Sequence, residues 1–97
     1  MVTHIVMFKL RGEADEVAAA ASKFKAGLEA LPAKIAELKS IEVFIDNSSV
    51  EGNWTLSLIA RCDSYADLAV YAAHPAHFDC VAIIKPLVAE RACVDAE

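Results

Sequence analysis

Two side chains suited to moving protons at neutral pH, Tyr71 and His77, stand close together in the run Tyr71-Ala72-Ala73-His74-Pro75-Ala76-His77. The reference pKa of imidazole is about 6.5, so neutral His77 is available as a general base. Taking a proton alpha to a carbonyl requires that base within about 3 Å of the carbon acid. A phenol such as Tyr71 can donate its O–H to the enolate oxygen that develops, an oxyanion-hole role. The competing reading is structural: His77 bonds a backbone carbonyl or carboxylate, and Tyr71 packs as an amphipathic core ring.

The other reactive side chains are weaker candidates. His4 lies in an apolar run with Val6 and Phe8 and is either a hydrogen-bonded core residue or part of a pocket wall. His74 precedes Pro75 and is expected to cap a helix. His74 and His77 have the i, i+3 spacing of a metal pair, but the His-Pro break spoils the helical geometry and no matching ligand set follows. No metal or cofactor is expected. The three cysteines, Cys62, Cys80 and Cys93, form no CxxC pair and read as free, mostly buried thiols.

The elements that must position Tyr71 and His77 follow from Pro75. Proline disfavours the helical conformation for the residue before it and suits the first turn of a new helix. One helix should therefore run from Tyr65 to Ala73, with Leu68, Ala69 and Ala72 on its apolar stripe, and its bent continuation from Pro75 to Lys85. His77, Val81 and Ile84 share a face of that continuation. Val2 to Leu10 reads as a strand apolar on both faces, which belongs inside a sheet. Gly12 to Leu31 reads as a helix with Val17, Ala21, Phe24, Leu28 and Leu31 in one stripe; Ala33 to Leu38 can form one further turn. Strands follow over Ser40 to Asp46, Trp54 to Cys62 (Trp54, Leu56, Leu58, Ala60 and Cys62 on its core face) and Leu87 to Asp95.

That order is βαββαβ, an α+β ferredoxin-like fold: a four-stranded antiparallel sheet with both helices on one face. Phe24, Leu28, Leu56 and Leu58 are expected to wall the space between helices and sheet. The uncovered sheet face would present Ile5, Met7, Phe44 and Ile59, enough apolar surface to mark an interface. A two-fold homodimer with sheets face to face, a dimeric α/β barrel, is expected.

Composition narrows the function. At 97 residues the chain is one domain, and its formal charge of −5 leaves no basic stripe of the kind phosphate backbones need, so nucleic acid is not an expected partner. There is no membrane-length apolar run and no signal-peptide pattern, which reads as a cytoplasmic protein without a membrane partner.

The start Val2-Thr3-His4-Ile5-Val6-Met7-Phe8-Lys9, the run Tyr71 to His77 and the ending Arg91-Ala92-Cys93-Val94-Asp95 resemble the stress-responsive α/β-barrel (Dabb) family over nearly the whole chain. The resemblance implies a dimeric α+β barrel. In a plant polyketide cyclase of that family, a tyrosine and the second histidine of the same run perform a cofactor-free intramolecular aldol condensation. The matching residues here are Tyr71 and His77, with His4 matching a histidine that lines the pocket. Where that cyclase has a tyrosine on its first helix this chain has Phe24, and its phenylalanine after the run corresponds to Cys80, so the polyketide substrate does not carry over. The implied function is a homodimer with a pocket for a hydrophobic small molecule, lined by His4, Phe24, Leu28, Leu58, Cys80 and Val81. The pocket serves either cyclase-like carbonyl chemistry or ligand binding without turnover.

Overall fold

The computed structural model describes all of residues 1–97. Its elements are β1 (Val2–Leu10), α1 (Ala14–Glu29), β2 (Ser40–Ile45), β3 (Leu56–Cys62), α2 (Tyr65–Ala73), α3 (Pro75–Ile84) and β4 (Val88–Ala96). The four strands form one antiparallel sheet in the order β2-β3-β1-β4. This is the expected ferredoxin-like layout, with the second helix broken into α2 and α3.

Strand alternation decides the core. Val2, Val6, Phe8 and Leu10 of β1, Leu56, Leu58, Ala60 and Cys62 of β3, and Ile41 and Val43 of β2 are buried beneath the helices. From α1 the expected stripe arrives: Ala21, Phe24 and Leu28 are buried, and the Phe24 ring meets Phe8 edge-on at 5.8 Å. Burial of such rings and aliphatic chains stabilises the layer by roughly 1.5–3 kcal/mol per side chain. Gly27 sits inside α1 because a Cβ there would stand 3.1 Å from the Cys80 sulfur of α3. Instead of the expected turn over Ala33 to Leu38, a short 3-10 turn spans Leu31–Ala33, and Ile35 and Leu38 then plug the core.

Three expectations change. On α2 the buried residues are Leu68 and Tyr71, while Ala69 and Ala72 face outward. Leu68 and Tyr71, one helical turn apart, set the rotation of this short helix. Trp54 does not join the core face of β3, because the strand begins only at Leu56; the indole stays half-exposed, with the Lys9 ammonium 5.7 Å from its ring. Cys93 is exposed, because it lies on the edge strand β4, of which only Val88 and no later residue is even half-buried; all three cysteines are free.

The sheet face away from the helices carries Ile5, Met7, Phe44 and Val94, each more than a third exposed, with Ile59 paired directly opposite Ile5. No helix is long and apolar enough to cross a membrane.

Candidate functional site

The bend between α2 and α3 is built from local bonds. Ser64 caps α2, its Oγ accepting from the Asp67 amide at 3.1 Å. His74 adopts φ −71°, ψ 136°, the extended backbone that a following proline enforces. It closes α2 and opens α3 at once: its Nδ1 accepts from the Ala76 amide at 3.0 Å, and its carbonyl accepts from the amides of His77 and Phe78. Pro75 occupies the first turn of α3, where no amide hydrogen is needed.

This bend sets Tyr71 and His77 ring against ring, centroids 4.6 Å apart at 55°. Beneath them is a cavity of about 200 Å³ between helices and sheet. Of the residues expected at the site, His4, Phe24, Leu58, Tyr71, His77 and Val81 line it. Leu28 and Cys80 do not. Leu28 is sealed in the core, and the Cys80 sulfur is turned toward Gly27 of α1. Leu56 belongs to the same core face as Leu58 but does not line this cavity, although Phe8 opposite it does. Four lining residues were missed, Val6, Phe8, Phe78 and Arg91. Phe78 follows directly on His77 and stands exposed at the mouth, its ring 6.0 Å from the imidazole. Arg91 arrives through the pairing of β1 with β4, which sets it opposite Phe8.

The two rings differ in their hydrogen bonding. Tyr71 is 1% exposed, yet its hydroxyl makes no hydrogen bond within the chain and is not a sealed, unpartnered polar atom. The oxygen therefore opens onto the cavity. Burial pushes the phenol well above its usual range, with Cys80 and Cys62 adding to the rise and Arg91 opposing it. Tyr71 is consequently an O–H donor at any ordinary pH. His77 Nδ1 lies 3.0 Å from the carbonyl oxygen of Ala72. A carbonyl only accepts, so Nδ1 carries the hydrogen and the lone pair of the neutral ring is on Nε2. Burial holds this imidazole below its ordinary value; the Ala72 bond works in the opposite direction, and His4 and Arg91 lower it further. The bond also satisfies one of the last carbonyls of α2, so His77 braces the bend with one nitrogen and keeps the other as a base.

At the cavity edge, His4 Nδ1 is hydrogen-bonded to the Asp95 carboxylate, and the Cys93 sulfur lies 3.5 Å from the same nitrogen. A carboxylate acceptor fixes the hydrogen of neutral His4 on Nδ1 and leaves Nε2 free. The His4 and Tyr71 rings meet edge-on at 6.3 Å. His4, Cys93 and Asp95 are the side chains here that could hold a metal, their ligating atoms lying within 4.8 Å of one another. Their mutual hydrogen bonds already satisfy the His4 and Asp95 ligating atoms without an ion. The Asp95 partnership was not anticipated; its signal is the β1–β4 register, which pairs His4 with Asp95.

Comparison with known proteins places the fold. The family described as Stress responsive A/B Barrel Domain matches residues 2–97. A dimeric protein of unknown function with a ferredoxin-like fold from Bacteroides fragilis NCTC 9343 is 38% identical, with a TM-score of 0.94, covering 99% of this chain and 94% of that one. A dimeric ferredoxin-like protein of unknown function from Thermobifida fusca is 30% identical, with a TM-score of 0.79, covering 98% and 88%. The hydroxynitrile lyase of Passiflora edulis, 15% identical with a TM-score of 0.73 over 98% of this chain and 90% of that one, shares the fold. Among curated proteins none matches.

Proposed function

The chain belongs to the stress responsive A/B barrel domain family, and we propose that it is a homodimer whose protomers each bind a small hydrophobic carbonyl compound and enolise it without a cofactor. The observation that carries this reading is the pairing of Tyr71 and His77 over one cavity, the phenol without a partner and the imidazole with a free nitrogen. His77 Nε2 takes the proton alpha to the carbonyl. Tyr71 donates its O–H to the enolate oxygen, and a hydrogen bond that strengthens as charge develops stabilises the transition state. The enolate then adds to a second carbonyl of the same molecule, as in an aldol cyclisation, or is reprotonated. His4, held by Asp95, orients the substrate from the sheet.

The homodimer rests on the apolar outer face of Ile5, Met7, Phe44, Ile59 and Val94, continued by a groove of about 530 Å³ that Met7, Phe44 and Trp54 help to line, and on the dimeric relatives. Three free thiols suit a reducing, cytoplasmic site of action. A second reading, a ligand-binding or structural stress-associated dimer without turnover, is favoured by the cavity volume of about 200 Å³, below the ~300 Å³ at which ligand pockets usually begin.

The test is exchange of the α-protons of phenylacetone for deuterium, followed by proton NMR in heavy water. The enolising protein exchanges them faster than buffer, and Tyr71→Phe and His77→Ala each abolish the excess. Binding of the ketone with exchange at the buffer rate would establish the second reading and exclude the first.

A further inference from the structure

We propose that the cavity under the α2–α3 bend selects a small carboxylate, an apolar body whose acid group is held by Arg91; this deepens the function proposed above and rests on it. Arg91 pairs opposite Phe8 in the β1–β4 ladder, so its side chain leaves β4 on the helix side, together with His4, Val6 and Phe8. It lines a cavity in which seven of the ten lining residues are hydrophobic. The nearby acids of β4 are engaged elsewhere: Glu90 pairs with Lys9 at 3.3 Å, and Asp95 holds His4. Arg91 itself has no carboxylate partner among the ion pairs of the chain.

A guanidinium without a carboxylate partner beside an apolar hollow is a fork of donors that a carboxylate fits with two parallel hydrogen bonds. The chain carries a net charge of −5, and of its cations without a carboxylate partner Arg91 is the one that lines this cavity. An acid with an apolar body therefore finds both a cation and an apolar hollow here. The Arg91 field also reaches Tyr71 and His77, whose proton affinities it lowers, so the guanidinium is close enough to act on a group bound between them. Size limits the rest of the ligand. About 200 Å³ is roughly seven water volumes at ~30 Å³ each, room for one ring with a short side arm or a short acyl chain.

The experiment compares phenylacetate with phenylacetamide, equal in shape and different in charge, by titrating isotope-labelled protein and following amide and methyl shifts. Phenylacetate should bind roughly tenfold or more tightly and move the signals of Val6, Leu58 and Val81. Arg91→Gln should abolish the preference for the acid over the amide, and Arg91→Lys should keep part of it. Equal affinities in the wild type, or an acid preference that survives Arg91→Gln, would overturn this inference and leave the cavity reading standing. Absence of any shift with either probe would overturn both.

Discussion

Removing one oxygen atom separates a catalytic Tyr71 from a structural one. The side chain is 1% exposed, and its hydroxyl has no bond to the rest of the chain. If that hydroxyl held the bend together, Tyr71→Phe would break a buried hydrogen bond and leave its partner unpaired, at a cost of about 1–3 kcal/mol. The structure offers no such partner, so Tyr71→Phe should alter unfolding free energy by no more than ~0.5 kcal/mol. Tyr71→Ala, which empties the ring's place in the core, should cost about 3–5 kcal/mol. Urea unfolding at several protein concentrations measures both, since a dimer's apparent stability depends on protomer concentration. Activity should respond in the opposite order of sensitivity. Loss of one oxyanion donor typically lowers kcat by ~100- to 1,000-fold, so α-proton exchange should collapse in Tyr71→Phe although the fold survives. A variant destabilised by more than ~1 kcal/mol with exchange intact would refute the reasoning, because the hydroxyl would then serve the fold.

Three further outcomes are expected. Ile59→Asp puts a charge in the middle of the apolar outer face, directly opposite Ile5, and should convert the dimer to monomers in sedimentation; an unchanged mass would exclude this face as the interface. His77 should titrate below its usual ~6.5 in an NMR pH series, because burial disfavours the imidazolium. Its native proton affinity being depressed, the unfolded chain binds more protons, so the stability due to this group is complete above pH ~6.5 and is lost as pH falls through the native value; a native pKa above the usual value would contradict this. His74→Ala removes the acceptor that caps α3 at Ala76 and should cost ~1 kcal/mol, with His74→Asn restoring most of it in thermal unfolding.

The bend illustrates how far residue types alone reach. Proline chemistry places the break at His74, and α2 ends at Ala73 and α3 begins at Pro75, where that chemistry puts them. The fold follows from similar local rules: the inward set Val2, Val6, Phe8 and Leu10, the α1 stripe, and four strands in the order that makes β1 and β3 central. At Trp54 the same alternation rule fails, because alternation constrains a side chain only where the strand is paired, and the β3 strand starts two residues later.

What the candidate site contains was only partly legible. Leu28 lies on the face its spacing indicates but is sealed in the core, and Cys80, expected from the family resemblance, is turned toward Gly27 where α3 approaches α1. Arg91 and Asp95 are ordinary charged residues on an irregular last strand. Nothing in their local spacing connects them to His4 or Tyr71.

Periodicity, proline and glycine act within a few residues, so the chain's own order determined the fold, the bend and the meeting of a phenol with an imidazole beside it. Only tertiary structure decided which nitrogen His77 keeps free, which walls close the cavity, and that a carboxylate and a guanidinium from the end of the chain stand at its edge. The free nitrogen of His77 follows from its bond to the Ala72 carbonyl across the bend; the walls and the two charges depend on helix approach and on strand register between residues as far apart in sequence as His4 and Asp95, and a shift of one residue would have turned both β4 charges to the opposite face of the sheet.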